Sequence, residues 1–169
     1  EFSQTSNQKE FWWSYHWPFD LEPGWNNITI ALKDVGALAQ SDPGSGFRQN
    51  ENAGQPGNQT LDLDKIAGVG FSVSLDGTVD NKNITGTFLI DNLRLVAKKS
   101  DTPGQLVESF DKSIEESGYD IVYFTSNDSS SMSPSQDSQN VFEGEAAMRL
   151  DYKIKSMESW GSSTTVAIQ

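Results

Sequence analysis

The chain has 169 residues, a formal net charge of −12 and no cysteine. This length is enough for one domain with a sizeable core, and the lack of cysteine excludes disulfides, thiolate metal sites and cysteine nucleophiles. Because nucleic acid and anionic lipid surfaces repel an acidic protein, neither is expected as a partner. A membrane is not expected either, since no apolar run approaches the roughly 18 residues that a spanning helix requires.

The first informative segment is an aromatic run at residues 11–19. In a strand, side chains alternate between two faces, and here one face carries only large aromatics: Trp13, Tyr15 and Trp17. The other face carries Trp12, Ser14 and His16. Two interpretations stay open. In the first, the segment is a central strand of a sandwich, and the aromatics on the face with Trp13 pack as large core residues. In the second, the face with Trp12 and His16 lines an open groove in which aromatic rings stack on sugar rings.

The segments that follow predict one strand and one long loop. Residues 25–32 alternate between polar and apolar, which predicts a strand with Ile28, Ile30 and Leu32 turned inward. Residues 33–59 are rich in Gly, Asn, Gln and Asp, which predicts an irregular loop that is either functional or simply solvated. Arg48 and Gln49 are its candidate hydrogen-bond donors to a ligand.

The strongest strand signal is the β-branched and aliphatic run at residues 87–96, which follows an alternating run at residues 69–75. Within it, Asp91 shares a face with Leu89, Leu93 and Leu95. A buried carboxylate must be paired, hydrogen-bonded or bound to a metal. Two explanations therefore remain for Asp91: a local bulge turns it outward, or a partner inside the protein holds it.

A hydrophilic break at residues 98–104 is the best candidate boundary in the chain. Beyond it, the patterns predict a short strand or helical turn at residues 106–111, a Ser-rich loop at 127–139, and strands at 120–124, 146–154 and 162–168. One of these strands places its apolar residues on a single face: Ala146, Met148, Leu150, Tyr152 and Ile154. Many short strands without helical periodicity predict an all-β sandwich of antiparallel sheets.

Several stretches resemble parts of a β-jelly-roll carbohydrate-binding module. Trp25-Asn26 with residues 28–30, then residues 61–69 and 86–93, resemble the C-terminal half of such a module. Phe110-Asp111, residues 143–152 and Trp160-Gly161 resemble its N-terminal half. The chain is thus similar to the family-11 modules and their relatives in the galactose-binding-like superfamily. The halves stand in reversed order, at residues 1–97 and 105–169 with a linker at 98–104, as in a circularly permuted module or a junction of tandem modules.

The resemblance implies a non-catalytic module that binds polysaccharide on one sheet face and targets a linked glycan-degrading enzyme. Its parent would be a secreted or cell-surface, multi-modular glycoside hydrolase or lyase. The candidate sugar contacts are Trp12, Trp13, Tyr15 and Trp17 for stacking, and His16, Arg48 and Gln49 for hydrogen bonds. The resemblance also implies a structural calcium, with Asp91, Asp111, Glu143 and Glu145 as candidate ligands. Carboxylates suit this hard cation, although Glu143 and Glu145 could equally be solvated loop acids.

The residues give little support to catalysis, so no enzyme activity is expected. His16 is the single histidine, which leaves no histidine cluster for a metal, and no nucleophile elbow occurs. Glu143 and Glu145 could be considered as a retaining glycosidase pair, which needs carboxylates about 5–5.5 Å apart. The main alternative to sugar binding is a structural spacer or adhesion module. Exposed aromatics on one sheet would favour sugar binding, and their complete burial would favour the spacer.

Overall fold

The computed structural model describes residues 2–4, 10–16, 20–54, 57–75, 83–96, 104–156 and 162–169. Within these ranges the helical elements are short: α1 (Leu38–Ser41), α2 (Ile114–Ser117) and a 3₁₀ turn at Leu63–Lys65. No helix in the described part of the chain is long and apolar enough to cross a membrane. The remaining regular structure is strand, which confirms the all-β class.

The strands of the described ranges, numbered in chain order, are β1 (Phe2–Gln4), β2 (Glu10–Trp13), β3 (Arg48–Gly54), β4 (Ile66–Leu75), β5 (Asn83–Ile90), β6 (Leu93–Leu95), β7 (Gln105–Glu108), β8 (Ile121–Thr125), β9 (Ser131–Asp137), β10 (Ala147–Lys155) and β11 (Ser162–Ile168). The strand pairs with a defined register are antiparallel. The chain forms two compact units, one of residues 1–71 with Gln169 and one of residues 72–168.

The first unit has the strand order β3-β2-β1-β4, to which β4 contributes residues 66–71. Its buried apolar side chains include Trp12, Ala39 and Phe47. Phe47 also organises the segment before β3, because its N–H donates to the Lys33 carbonyl at 2.7 Å and its carbonyl accepts from the Val35 N–H at 2.8 Å. The irregular stretch predicted for residues 33–59 therefore contains α1 and β3.

The second unit contains a three-stranded sheet in the order β5-β10-β9 and a pair formed by β11 and β8. Strands β9 and β10 lie against β11, which gives this unit a sandwich-like arrangement. Its core side chains come from both layers: Met132, Met148, Leu150, Ile154, Val166 and Ile168. The prediction that alternate residues of 146–154 share a buried face is confirmed for Ala146, Met148, Leu150 and Ile154.

Two local predictions were wrong. Residues 25–32 form no strand, and Ile28 is 47% exposed instead of inward. This segment makes an isolated bond from the Ala31 N–H to the Gly44 carbonyl at 2.9 Å, without a strand ladder. The Ser-rich stretch at 127–139 is not a loop throughout, because it contains β9. Met132 is buried in that strand while Ser131 and Ser133 are exposed, so serine supplies the outward positions of an ordinary alternation.

The predicted linker does not coincide with the division between the units, which falls after Phe71. Residues 97–103 lie outside the described ranges, but β6 and β7 flank them and pair with each other, with Leu93 opposite Glu108 and Leu95 opposite Gln105. The chain on both sides of the hydrophilic break therefore belongs to one hairpin of the second unit.

Candidate functional site

Strand β2 has a buried face that sequence reasoning assigned to an open groove. Trp12 is 1% exposed and Glu10, on the same face, is also 1% exposed. The indole N–H of Trp12 donates to Glu10 Oε2 at 3.1 Å, and the backbone N–H of Gln59 donates to Glu10 Oε1 at 2.7 Å. These two bonds satisfy a carboxylate that would otherwise be costly to bury. Trp12 thus lies in the core, and its expected place in an open groove is corrected.

The opposite face of β2 carries Trp13, which pairs with Tyr15 just beyond the end of the strand. Both side chains are half-buried, and their ring centroids lie 6.2 Å apart at an interplanar angle of 77°, in an edge-to-face arrangement. Arg48 of β3 stands directly opposite Trp13 in the antiparallel register, so the two side chains share a face. Gln49 stands opposite Trp12 and therefore lies on the other face. Trp17 is outside the described residues.

Three residues in the part of the first unit around His16 and Gly44 have buried polar side-chain atoms without a partner. The buried atoms His16 Nε2, Ser14 Oγ and Ser45 Oγ have no hydrogen-bond partner among the residues that the structure describes. Gly44, next to Ser45, packs so closely that an added Cβ would lie 3.8 Å from His16 Cε1 and 2.6 Å from the Thr29 carbonyl oxygen. Buried polar atoms without partners are costly. These three atoms are therefore candidates for hydrogen bonds to a ligand or to ordered water.

The four predicted calcium ligands come together around the loop at residues 142–146 in the second unit. The strand predicted at 87–96 is broken after Ile90, and Asn92 has a left-handed φ of 52°. This break lets Asp91 reach the loop, where its Oδ2 accepts from the N–H groups of Phe142 at 2.9 Å and Glu143 at 3.1 Å. The conflict noted at Asp91 is thus resolved by backbone donors 51 and 52 residues away.

Asp111 holds the other end of the same loop. Its Oδ1 accepts from the N–H of Glu145 and from that of Ala146 at 3.1 Å. These two backbone bonds, followed by the side chain of Ser109, lower the pKa of Asp111 below its usual value. Glycine is required at position 144, just before these two donors, because an added Cβ would lie 2.3 Å from Asp111 Oδ1.

The glutamates are placed differently from the aspartates. Glu143 is exposed, and its Oε2 accepts from Asn92 at 3.0 Å and from the Arg94 guanidinium at 3.3 Å. Glu145 is exposed as well, and its backbone rather than its carboxylate is bound by Asp111. Both residues contribute to the fixed loop through contacts that need no metal.

The fit of this loop to calcium is incomplete. No three acidic or histidine side chains converge on one point among the described residues, and one oxygen of each aspartate already accepts backbone N–H groups. The remaining oxygen of Asp91, Oδ1, is buried and has no partner in the described ranges. It is a buried carboxylate oxygen that a cation could take without displacing a bond, but one such oxygen is far from the six to eight that calcium needs. Calcium therefore stays a prediction.

A charged network lies on the outer face of the β5-β10-β9 sheet. The Arg149 guanidinium donates to both carboxylate oxygens of Asp151, with its Nη2 2.8 Å from Asp151 Oδ1, and lies 3.7 Å from Asp137 Oδ2. Thr87 also donates to Asp151. The bonds from Arg149 and then Thr87 lower the pKa of Asp151. The network pre-positions one cation and two anions on an otherwise hydroxyl-rich surface.

The residue that sequence reasoning missed most clearly is Glu10. The only signal for it was period two: counted one step back from the aromatic run, Glu10 falls on the face of Trp12. Gly57 is its necessary neighbour, because an added Cβ would lie 1.9 Å from Glu10 Oε1 and the glycine has a φ of +55°.

No protein family, curated protein or solved structure matches this chain.

Proposed function

We propose that the chain is a non-catalytic carbohydrate-binding module of jelly-roll type. In this proposal it binds a polysaccharide and holds it against a linked glycan-degrading enzyme in a secreted or cell-surface protein of several modules. The observation that supports it best is the half-buried, edge-to-face pair of Trp13 and Tyr15 with Arg48 in register on the same face. The sugar site is accordingly reduced from the whole aromatic run to this face of the first unit.

The chemistry of this face suits a neutral or weakly charged sugar. A pyranose ring presents C–H groups on its flat sides and hydroxyls around its rim. A fixed aromatic ring contacts the flat side at low cost in conformational entropy, and a guanidinium offers several N–H donors to the rim. Packing between Trp13 and Tyr15 limits the motion of both rings, so these side chains would lose little conformational entropy when a ligand binds.

The alternative is a structural spacer or adhesion module without sugar binding. The observation in its favour is the burial of Trp12, because the ring that was expected to line an open groove is used in the core with Glu10. The two functions differ in what they require of Trp13. A spacer needs Trp13 only for packing, whereas a sugar-binding module needs its exposed surface for the ligand.

The experiment is affinity gel electrophoresis on β-glucans, mannans and algal galactans, with Trp13→Ala and Arg48→Ala compared with the parent chain. Trp25→Ala is the matched control, since Trp25 is an exposed tryptophan of the same unit. We expect Trp13→Ala to weaken retention about tenfold, because an aromatic contact is worth up to about 1.5 kcal/mol. The control should migrate like the parent. If no polysaccharide retards the parent, the sugar-binding proposal is wrong and the spacer is favoured.

A further inference from the structure

Strand β3 bulges out of its pairing beside the face that carries Trp13. The register with β2 is regular where Arg48 stands opposite Trp13 and at the pair that follows, and then it shifts. One residue of β2 lies within the shift but four residues of β3, 50–53, so β3 carries three additional residues there. Strand β3 is the outermost strand of its sheet among the described ones. Bulges at sheet edges commonly redirect side chains at functional sites.

Asn50 is the first residue of this bulge, and its side chain is held in one orientation. Its Oδ1 accepts from the backbone N–H of Asn52 at 3.1 Å. Because the amide group is planar, this bond also fixes the direction of the two N–H groups on Nδ2. Nδ2 itself makes no hydrogen bond within the part of the chain that the structure describes. Asn50 therefore offers a donor group that is oriented and unused.

Arg48 supplies further donors on the same side of β3. It precedes Asn50 by two residues, which is the spacing of neighbours on one face of a strand. Its guanidinium forms no ion pair with any acid of the described ranges, and like Asn50 it is half-buried. A guanidinium carries donors only, and the amide oxygen of Asn50 is already in use. The polar groups that adjoin Trp13 along β3 are thus donors without acceptors.

We propose, building on the sugar-binding function proposed above, that this face recognises an O-acetylated polysaccharide. A sugar ring stacks on Trp13, and the acetyl carbonyl oxygen accepts from Asn50 Nδ2 and from the Arg48 guanidinium. A sugar hydroxyl in the same place would satisfy the donors, but its own hydrogen would have no acceptor, which is costly in a half-buried site. A carbonyl oxygen only accepts, so it matches both donors without leaving a polar group unpaired.

Charge distinguishes an acetyl ester from the other groups that only accept. A carboxylate or a sulfate on the glycan would also match the two donors. However, the next residue of the bulge is Glu51, which is exposed, and the chain has a net charge of −12. Both disfavour an anionic polymer, because like charges repel. An acetyl ester is neutral and accepts the same hydrogen bonds without this repulsion.

The experiment is affinity gel electrophoresis on β-glucan, mannan and galactan, each in an O-acetylated and in an alkali-deacetylated form. We expect the parent to bind the acetylated form about fivefold more tightly, the factor that one net hydrogen bond contributes. Asn50→Asp should bind both forms equally, since aspartate still accepts from the Asn52 N–H but has no N–H to donate. Asn27→Asp is the matched control, because it adds the same charge at an exposed asparagine of the same unit, and it should prefer the acetylated form as the parent does.

The outcomes separate this proposal from sugar binding itself. If a polysaccharide retards the parent equally in both forms, or if Asn50→Asp keeps the preference, the acetyl assignment is wrong while sugar binding stands. If neither form of any polysaccharide retards the parent, sugar binding is wrong and the acetyl assignment falls with it. Melting temperatures show whether the variants fold. Should Asn50→Asp melt lower than the parent, Arg48→Ala, which leaves the bulge residues unchanged, decides: it must also reduce the preference for the acetylated form.

Discussion

The bond between Trp12 and Glu10 allows the core of the first unit to be tested by one conservative substitution. Trp12→Phe keeps an aromatic ring at the position but removes the indole N–H that donates to Glu10 Oε2 at 3.1 Å. Glu10 is almost fully buried, so water cannot replace the lost donor. The Gln59 N–H would remain as the donor to the other oxygen. We expect the first unit to lose stability because a buried carboxylate loses one of its two described hydrogen bonds.

The size of the effect follows from the burial of the acceptor. Leaving a buried polar group without its partner costs about 1–3 kcal/mol, and the smaller phenyl ring adds a cavity term of the same sign. With a urea dependence of about 2 kcal/mol per molar for a unit of this size, a loss of about 2 kcal/mol lowers the unfolding midpoint by about 1 M. The expected shift is therefore large enough to measure directly.

The assay is urea unfolding followed by tryptophan fluorescence, because four of the five tryptophans lie within residues 1–71. Trp13→Phe is the matched control: it makes the same chemical change on the half-buried face of the same strand, away from Glu10. It should shift the midpoint much less than Trp12→Phe. Equal midpoints for the two variants would show that the Glu10 bond contributes nothing and that our account of the buried face is wrong.

Three further predictions concern the glycine and the aspartates. Gly57→Ala should unfold at lower urea than Gly24→Ala, since both glycines have positive φ but only the methyl group at 57 meets Glu10; equal midpoints would refute the contact. The pKa of Asp111 is lowered in the folded state, so its contribution is present above about pH 4, its unfolded value, and is lost as pH falls through the lower folded pKa. Asp111→Asn should therefore flatten the acid side of a melting-temperature profile, and an unchanged profile would contradict this. If calcium binds at Asp91 Oδ1, a chelator should lower the melting temperature of the parent but not that of Asp91→Asn; an indifferent parent would remove calcium from the proposal.

Strands with a clear alternation could be predicted from the sequence alone. The run at 69–75 lies in β4, where one more buried face imposes period two on the residues. The runs at 120–124 and 162–168 overlap β8 and coincide with β11, and there β-branched and aromatic composition rather than alternation indicates the strand. The run at 146–154 even gave the correct inward face. Such patterns are informative because β10 has strands on both sides and its apolar residues must meet the opposite layer.

The failures have a common physical cause, which is that a strand needs a partner as well as a pattern. Residues 25–32 alternate as a strand should, yet they pair with no strand of the described ranges and Ile28 stays exposed. Residues 131–137 look like a polar loop, yet β10 pairs with them along seven positions. Pairing between segments far apart in sequence leaves little trace in either segment. Local patterning therefore could not show that residues 25–32 lack a partner strand, nor that residues 131–137 have one.

The same reasoning explains how far the candidate site could be predicted. Asp91 was identified as a residue in need of a partner, because it falls among leucines, but its partners are backbone N–H groups that no residue type reveals. Which face of the aromatic strand is buried is harder still to predict, because both faces carry tryptophan and hydrophobicity does not distinguish them. The choice follows from hydrogen bonding: Glu10 can be buried only with donors, and Trp12 supplies one. The face left over, with Trp13, is the one that remains available to a ligand.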